Sequence, residues 1–178
     1  YLCQYTERVG EVDILFVNDN SGSMYREQLK MATAFEGFLD GIIDLDYRIG
    51  IITMDISSPS NPPDEINQNG KLQDGRLIRF PGAKKFLSNP DFTETIHNNN
   101  INAFQETIKR EETIDCEASK YAIGACPSGD ERGIYALNKA LDRPENQEFF
   151  REGGHLSIVI LSDENERSNG GQIEGFEL

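Results

Sequence analysis

Three apolar runs rich in β-branched residues constrain the fold of this chain most strongly. They cover residues 12–17, 47–54 and 156–161. Near-continuous apolar runs of this length are typical of strands that are buried on both faces, as parallel strands between two helical layers must be. The sequence therefore predicts a mostly parallel central sheet with helices on both sides.

Helical patterns separate these predicted strands. Apolar side chains recur at steps of three or four residues in three segments, at Leu29, Ala32, Phe35 and Phe38, at Ile101, Phe104 and Ile108, and at Ile134, Leu137 and Leu141. Each pattern gives a helix one buried stripe. Strands that alternate with helices form right-handed β-α-β units, so we predict a three-layer α/β fold. Residues 57–75 and 88–100 are predicted surface loops, and residues 75–80 a short edge strand.

The length of 178 residues is typical of a single domain, with a predicted core over residues 11–166. The chain ends soon after its third predicted strand, so we expect the C-terminal strands and helix of the domain to be missing from it. No run approaches the roughly 20 apolar residues of a membrane span. Seventeen basic and 31 acidic residues give a net charge of −14, which argues against nucleic-acid binding and against an anionic membrane surface.

The three cysteines are too few for a disulfide scaffold and lack the CxxC spacing of a metal site. Cys116 and Cys126 have nine residues between them in a predicted polar loop, which favours a local disulfide in an oxidising compartment. The alternative is that all three thiols are reduced. With the disulfide formed, Cys3 stays free or pairs outside this chain.

Oxygen-bearing side chains follow two of the predicted strands. Asp19, Ser21 and Ser23 come directly after the first strand, and Asp163 follows the third. Ligands of open α/β sheets bind outside the carboxyl ends of the strands, so the two aspartates can meet there. The alternation of Asp19, Ser21 and Ser23 places them on one side of an extended loop. Such hard oxygen donors suit Mg²⁺, Mn²⁺ or Ca²⁺.

The run Asp-Asn-Ser-Gly-Ser-Met at residues 19–24 resembles the D-x-S-x-S motif of von Willebrand factor type A domains. The resemblance extends from about Val12 to Asp163. It implies the doubly wound, Rossmann-like fold of that family and a metal ion-dependent adhesion site. By this resemblance Ser21 and Ser23 supply hydroxyl ligands, and Asp19 and Asp163 supply carboxylates.

The family also uses a threonine from the loop before a later helix, and this chain lacks it. Glu131 lies nearest to that position, while Asp130 or Ser128 reaches it after a shift of one to three residues. A third carboxylate would neutralise more of the charge of the metal and favour a larger oxygen-rich ion.

Three alternatives compete with this interpretation. The Asp-x-Ser-x-Ser run can be a helix N-cap cluster, since Ser and Asp accept hydrogen bonds from free helix amides. An EF-hand loop starting at Asp163 is disfavoured by Arg167 and by Ser168, which stands where glycine is required. A metal-assisted hydrolase would need a general base, yet His97 and His155 are isolated in the sequence.

The sequence therefore predicts a non-enzymatic module that binds a protein ligand outside the cytoplasm. As the resemblance implies, a divalent cation would coordinate an acidic side chain of the partner. A metal that only clamps the strand ends is the structural alternative.

Overall fold

The computed structural model describes residues 10–56, 73–122, 126–127 and 131–165. They form four strands and four α-helices. In chain order these are β1 (Glu11–Asn18), α1 (Tyr25–Gly41), β2 (Asp46–Thr53), β3 (Leu87–Ser88), α2 (Glu94–Ile108), α3 (Glu111–Ala118), α4 (Gly133–Asp142) and β4 (His155–Leu161).

The four strands form one sheet in the order β3-β2-β1-β4. Strand β1 pairs in parallel with β2 and β4, and the two-residue β3 pairs antiparallel with β2. The predicted α/β class with a mostly parallel sheet is confirmed. Asn18 at the end of β1 stands opposite Thr53 and Leu161, so three strands end level at one edge of the sheet.

Apolar side chains pack on both faces of the sheet. On one face, Ile14 and Phe16 of β1 join a core with helices α1 and α2, in which the rings of Phe35 and Phe104 stack with centroids 3.5 Å apart. On the other face, Leu15 and Val17 pack toward α4. Successive side chains of β1 therefore pack into two separate cores, as expected for a strand that is covered on both faces.

The predicted stripe of α1 is only partly right. Ala32 and Phe35 are buried, but Leu29 and Phe38 are 39% and 36% exposed. The buried face is instead completed by Leu39 and by the polar Gln28. Gln28 can be buried because its amide is fully hydrogen-bonded, which a hydrophobic count along the helix does not detect.

One predicted loop is wrong in its second half, and a second one is described only at its end. Residues 88–100 are not a loop, because α2 begins at Glu94, where the Thr93 side chain accepts a hydrogen bond from the amide of Ile96 at 3.1 Å. Of the predicted surface segment 57–75, residues 57–72 lie outside the described residues, and Gln73 and Asp74 are buried.

The predicted edge strand at residues 75–80 is also wrong. Ile78 donates one backbone hydrogen bond to Ile51 at 2.8 Å, and Phe80 forms only an isolated bridge with Lys84. The edge position belongs to β3. The hydrogen bond from Ile78 to Ile51 joins the 75–80 segment to β2 without extending the sheet.

The predicted Cys116–Cys126 disulfide is confirmed, with the Cα atoms 4.6 Å apart. Its setting differs from the prediction. Cys116 lies in helix α3 rather than in a loop and is 1% exposed. Cys3 lies outside the described residues.

A buried ion pair ties the amino-terminal ends of the strands together. Asp13 of β1 accepts hydrogen bonds from the Arg151 amide at 2.7 Å and from its Nε at 2.8 Å. The same guanidinium donates to the carbonyl oxygens of Val12 and Asp46, at 3.0 and 2.8 Å. Arg151 therefore links β1 and β2 to the turn that leads into β4.

Strand β4 pairs only with β1 within the described part of the chain. Its Leu156 and Ile160 side chains are 44% and 45% exposed. No described helix is long and apolar enough to cross a membrane.

Candidate metal centre

The four strand-end residues Asp19, Ser21, Ser23 and Asp163 come together at the carboxyl edge of the sheet. The amide of Asp19 donates to the Leu161 carbonyl oxygen at 2.9 Å, which continues the pairing of β1 with β4 by one residue. This contact brings the segments after the two strands side by side. Parallel pairing therefore unites residues that are distant in the sequence.

Two linked hydrogen bonds join three of the oxygens. Ser21 Oγ and Ser23 Oγ are 3.0 Å apart, and Ser23 Oγ donates to Asp163 Oδ1 at 3.2 Å. Asp19 lies beside them, since its Oδ1 accepts from the amide of Ser21 at 2.9 Å. We call Asp19, Ser21, Ser23 and Asp163 the strand-end cluster.

The four residues of the cluster differ in their exposure to solvent. Asp19 is 2% exposed, whereas Ser21 is half-buried and Ser23 and Asp163 are exposed. Its oxygens can therefore be reached from solvent on one side, while the carboxylate of Asp19 is held from below.

The serine hydroxyls do not act as helix caps. Ser21 precedes the 3₁₀ turn Gly22–Met24, and Met24 precedes α1, yet neither residue makes a side-chain capping bond. The hydroxyls of Ser21 and Ser23 instead contact each other and Asp163. This geometry argues against the N-cap interpretation of the motif.

A buried polar network fixes the backbone under the cluster. Gln28 of α1 donates to the Asp19 carbonyl oxygen at 3.0 Å and to Thr113 Oγ1 at 3.1 Å. Thr113 of α3 donates in turn to the Asn20 carbonyl oxygen at 2.8 Å. The Gln28 oxygen accepts from the amide of Arg110 at 3.0 Å. Helices α1 and α3 thus hold the loop that carries the motif.

Sequence analysis did not identify these supporting residues. Gln28 offered one signal, as a polar residue that falls between apolar positions of the α1 stripe. Thr113 offered none, because its segment was not predicted as a helix. Ser162 was also missed, and its hydroxyl donates to Asp19 Oδ2 at 2.8 Å.

Gly22, which separates the two serines of the motif, is covered by the disulfide and by an aromatic ring. A Cβ atom placed on Gly22 would lie 2.5 Å from Cys116 Sγ and 2.7 Å from Tyr121 Cε1. Only glycine fits there without displacing a neighbour. The disulfide of α3 therefore packs directly against the motif.

Tyr121 stands at the rim of the cluster. Its side chain is 56% exposed, and its backbone adopts a left-handed φ of 63°, directly after Lys120 at 52°. The pKa of Tyr121 is raised by a hydrogen bond with the Glu117 side chain, by desolvation and by the negative charges of Glu117 and Asp163. The phenol thus lies within electrostatic reach of the cluster.

Glu131, predicted as a fifth ligand, lies just before α4. It is 5% exposed and has a left-handed φ of 33°. The two alternatives, Ser128 and Asp130, fall outside the described residues. The role of Glu131 stays a prediction.

Asn18 and Thr53, side by side at the strand ends, are fully buried. Within the described residues, neither the side-chain amide of Asn18 nor the hydroxyl of Thr53 has a hydrogen-bond partner. Buried polar groups without partners are unusual in folded proteins, and a bound water, an ion or a functional role accounts for them where they occur. The carboxyl ends of β1 and β2 therefore carry buried polar side chains next to the strand-end cluster.

Neither histidine is part of the strand-end cluster. His97 of α2 contacts Asp40 at 3.0 Å, and His155 opens β4 at the opposite edge of the sheet from the cluster. Among the described residues, no group of three or more His, Cys, Asp or Glu side chains is arranged to hold a metal ion. The strand-end cluster contains two such side chains, and its other oxygens are hydroxyls.

Comparison with protein-family models, with curated proteins and with solved structures found no match to this chain. Conclusions about the site therefore depend on its own geometry.

Proposed function

We propose that this chain is a von Willebrand factor type A-like domain that binds a protein ligand through a divalent cation held by the strand-end cluster. The observation that carries the proposal is the chain of oxygens Ser21–Ser23–Asp163, which forms no helix cap. The helices on both faces of a mostly parallel sheet support the doubly wound, Rossmann-like form of the fold.

The spacing of the oxygens is compatible with one small cation. Adjacent ligands of an octahedral ion are separated by √2 times the metal–ligand distance. For Mg²⁺ this is about 2.8–3.0 Å, and for six-coordinate Ca²⁺ about 3.3–3.7 Å. The observed separation of 3.0 Å between the two hydroxyls lies in the range for Mg²⁺, and the separation of 3.2 Å between Ser23 and Asp163 lies between the two ranges. We therefore infer a small divalent cation, for which the separation of the two hydroxyls matches Mg²⁺.

The donor types support the same assignment. Two hydroxyls and two carboxylates are hard oxygen donors, as Mg²⁺ requires, and they leave coordination positions for other ligands. Because Ser23 and Asp163 are exposed, a carboxylate of a partner protein can approach the ion from solvent. A carboxylate of a partner is a hard oxygen donor of the kind that such an ion binds.

A binding role fits the site better than a catalytic one. A hydrolase needs a base within hydrogen-bond reach of the attacking water. His155 lies at the far edge of the sheet, and His97 is bonded to Asp40. The Cys116–Cys126 disulfide supports an extracytoplasmic location, where such bonds persist.

Metal titration tests the proposal directly. Isothermal titration calorimetry with MgCl₂, MnCl₂ and CaCl₂ is carried out on wild type, Ser23→Ala and Asp163→Asn. Both changes affect exposed side chains, so the fold should be retained. We expect wild type to bind Mg²⁺ or Mn²⁺. Both variants should bind the ion at least tenfold more weakly than wild type, because each substitution removes one ligand.

Asp44→Asn is the matched control, since Asp44 is exposed in the turn before β2 and its charge lies at the amino-terminal end of the strands, opposite the cluster. It should bind the metal as wild type does. Equal metal affinity in wild type, Ser23→Ala and Asp163→Asn would refute the assignment of the cluster as the metal site. Protection by the metal against heat denaturation without any metal-dependent partner would favour the structural-clamp alternative.

A further inference from the structure

A cavity of about 410 Å³ beside β2 concentrates positive charge in a chain whose net charge is −14. It is lined by the segment that joins β2 at Ile78, by the start of α3 and by the turn after α4. The charged side chains in its lining are Arg76, Arg79, Lys85, Arg110 and Glu145. Four positive charges therefore stand against one negative charge, although acidic residues outnumber basic ones by 31 to 17 in the whole chain.

Buried and backbone contacts hold the walls of this cavity in place. Asn146 is 1% exposed, and its side-chain oxygen accepts a hydrogen bond from the amide of Leu77 at 3.2 Å. Lys85 Nζ donates to the backbone carbonyl oxygen of Glu145 at 3.1 Å. These bonds tie the 75–80 segment and Lys85 to the turn after α4. The charged side chains of the cavity therefore extend from a backbone that is fixed by its own contacts.

The arginines of the cavity use only part of their hydrogen-bonding capacity. Arg76 and Arg110 each donate from Nε to a carboxylate, that of Glu145 at 3.0 Å and that of Glu112 at 2.8 Å. Among the described residues, the terminal nitrogens of these two arginines have no hydrogen-bond partner. Arg79 has no carboxylate partner in that part of the chain, and it donates to a backbone carbonyl oxygen at 3.4 Å. Guanidinium groups of all three arginines are therefore available to a ligand.

The donors define the chemical class of that ligand. The side chains of Arg76, Lys85 and Arg110 are 33%, 28% and 13% exposed, so their charges lie partly out of water, where the attraction for an anion is stronger. Guanidinium groups bind oxyanions through pairs of parallel N–H donors. One such pair satisfies a planar carboxylate, whereas the oxygens of a phosphate or sulfate group accept from several donors at once.

We propose that this cavity binds the phosphate or sulfate group of a ligand through Arg76, Arg79, Lys85 and Arg110. The proposal does not depend on the metal, because none of the four residues belongs to the strand-end cluster. Glu145 is the competing acceptor, since its carboxylate holds Arg76 Nε and adds a negative charge to the cavity.

Isothermal titration calorimetry with sodium phosphate and sodium sulfate tests the proposal. Sodium malonate is the comparison, because it carries the charge of sulfate on two planar carboxylates. All titrations contain EDTA, so that no divalent cation contributes. We expect wild type to bind phosphate or sulfate with saturation and more tightly than malonate. Absence of saturable binding of both anions at millimolar concentration, or equal affinity for malonate, would overturn the proposal.

Two variants assign the binding to the cavity. Arg79→Gln removes the arginine that has no carboxylate partner among the described residues, and it should weaken anion binding about two- to fivefold, the effect of a partly exposed ion pair. Glu145→Gln removes the competing carboxylate and should strengthen binding by a similar factor. A gain of affinity cannot result from loss of the fold. Unchanged affinity in both variants would refute the assignment.

Arg26→Gln and Glu36→Gln are the matched controls, because they make the same changes of charge at exposed positions of α1. Arg26 is two residues from the buried Gln28 and therefore lies on the other side of the helix. Both controls should bind the anion as wild type does. If they change the affinity as much as Arg79→Gln and Glu145→Gln do, binding follows the net charge of the chain and the proposed site is wrong.

Discussion

Substitution of Gly22 by alanine tests the packing of the disulfide against the motif. The new Cβ would lie 2.5 Å from Cys116 Sγ and 2.7 Å from Tyr121 Cε1, so both neighbours must move. The Tyr121 ring is exposed and can rotate away. Cys116 is 1% exposed, lies in α3 and is linked to Cys126, so its sulfur cannot move without shifting the helix.

The expected magnitude follows from two opposing effects. Overpacking of this kind costs about 1–3 kcal/mol. Replacing glycine by alanine lowers the conformational entropy of the unfolded chain, which stabilises the folded state by about 0.4–1 kcal/mol. We therefore expect Gly22→Ala to lower the free energy of unfolding by about 1–2 kcal/mol. The displacement should also weaken binding of Mg²⁺, because Gly22 separates Ser21 from Ser23.

Urea denaturation followed by circular dichroism measures the change, with Gly37→Ala as the matched control. A Cβ on Gly37 meets no atom within 4 Å, and this residue lies inside α1. The control should therefore be about 0.5–1 kcal/mol more stable than wild type, since alanine favours helix. The same substitution is thus expected to change stability with opposite signs at the two glycines.

The source of the effect is checked in a Cys116→Ala, Cys126→Ala background. Removal of the Sγ atom should reduce the cost of Gly22→Ala, which a double-mutant cycle measures. If Gly22→Ala costs the same with and without the disulfide, or costs nothing in wild type, the packing argument is refuted.

Three further predictions concern stability. Replacement of both Cys116 and Cys126 by serine should lower the free energy of unfolding by about 3 kcal/mol in the chain-entropy model. Equal unfolding free energies of reduced and oxidised wild type would contradict this. Asp13→Asn should cost up to about 3 kcal/mol in urea denaturation, because it leaves Arg151 partly unpaired; a loss below about 0.5 kcal/mol would contradict this. Burial raises the pKa of Tyr47 above 10.0, so stability should fall as pH rises past 10, by at most about 1.4 kcal/mol per pH unit, and more steeply in wild type than in Tyr47→Phe.

Strands β1 and β2 could be predicted because burial on both faces gives a continuous apolar run. Strand β4 has the same kind of run, although Leu156 and Ile160 are exposed in it. β1, β2 and β4 begin and end within about one residue of the predicted runs. Helix α3 could not be predicted. Its residues 111–118 are mostly polar, and it is held by Thr113 and Cys116, whose contacts are with distant parts of the chain.

The strand-end residues could be located for a similar reason. Asp19 and Asp163 each follow an apolar run, and parallel pairing requires such ends to meet. The support beneath them was not visible, because a single buried amide such as Gln28 contributes no periodic signal. Tyr121 was not visible either, since its position depends on a left-handed backbone turn.

The hydrogen bond between Ser23 and Asp163 closes a loop of 140 residues. Closing so long a loop carries an entropic cost of about 4 kcal/mol or more, which one exposed hydrogen bond cannot supply. The contact can therefore exist only while β4 is docked on β1. The amide of Asp19, bonded to the Leu161 carbonyl oxygen, reports on that docking. Its rate of hydrogen exchange should follow the opening of β4, so the cluster is intact or lost together with the edge of the sheet.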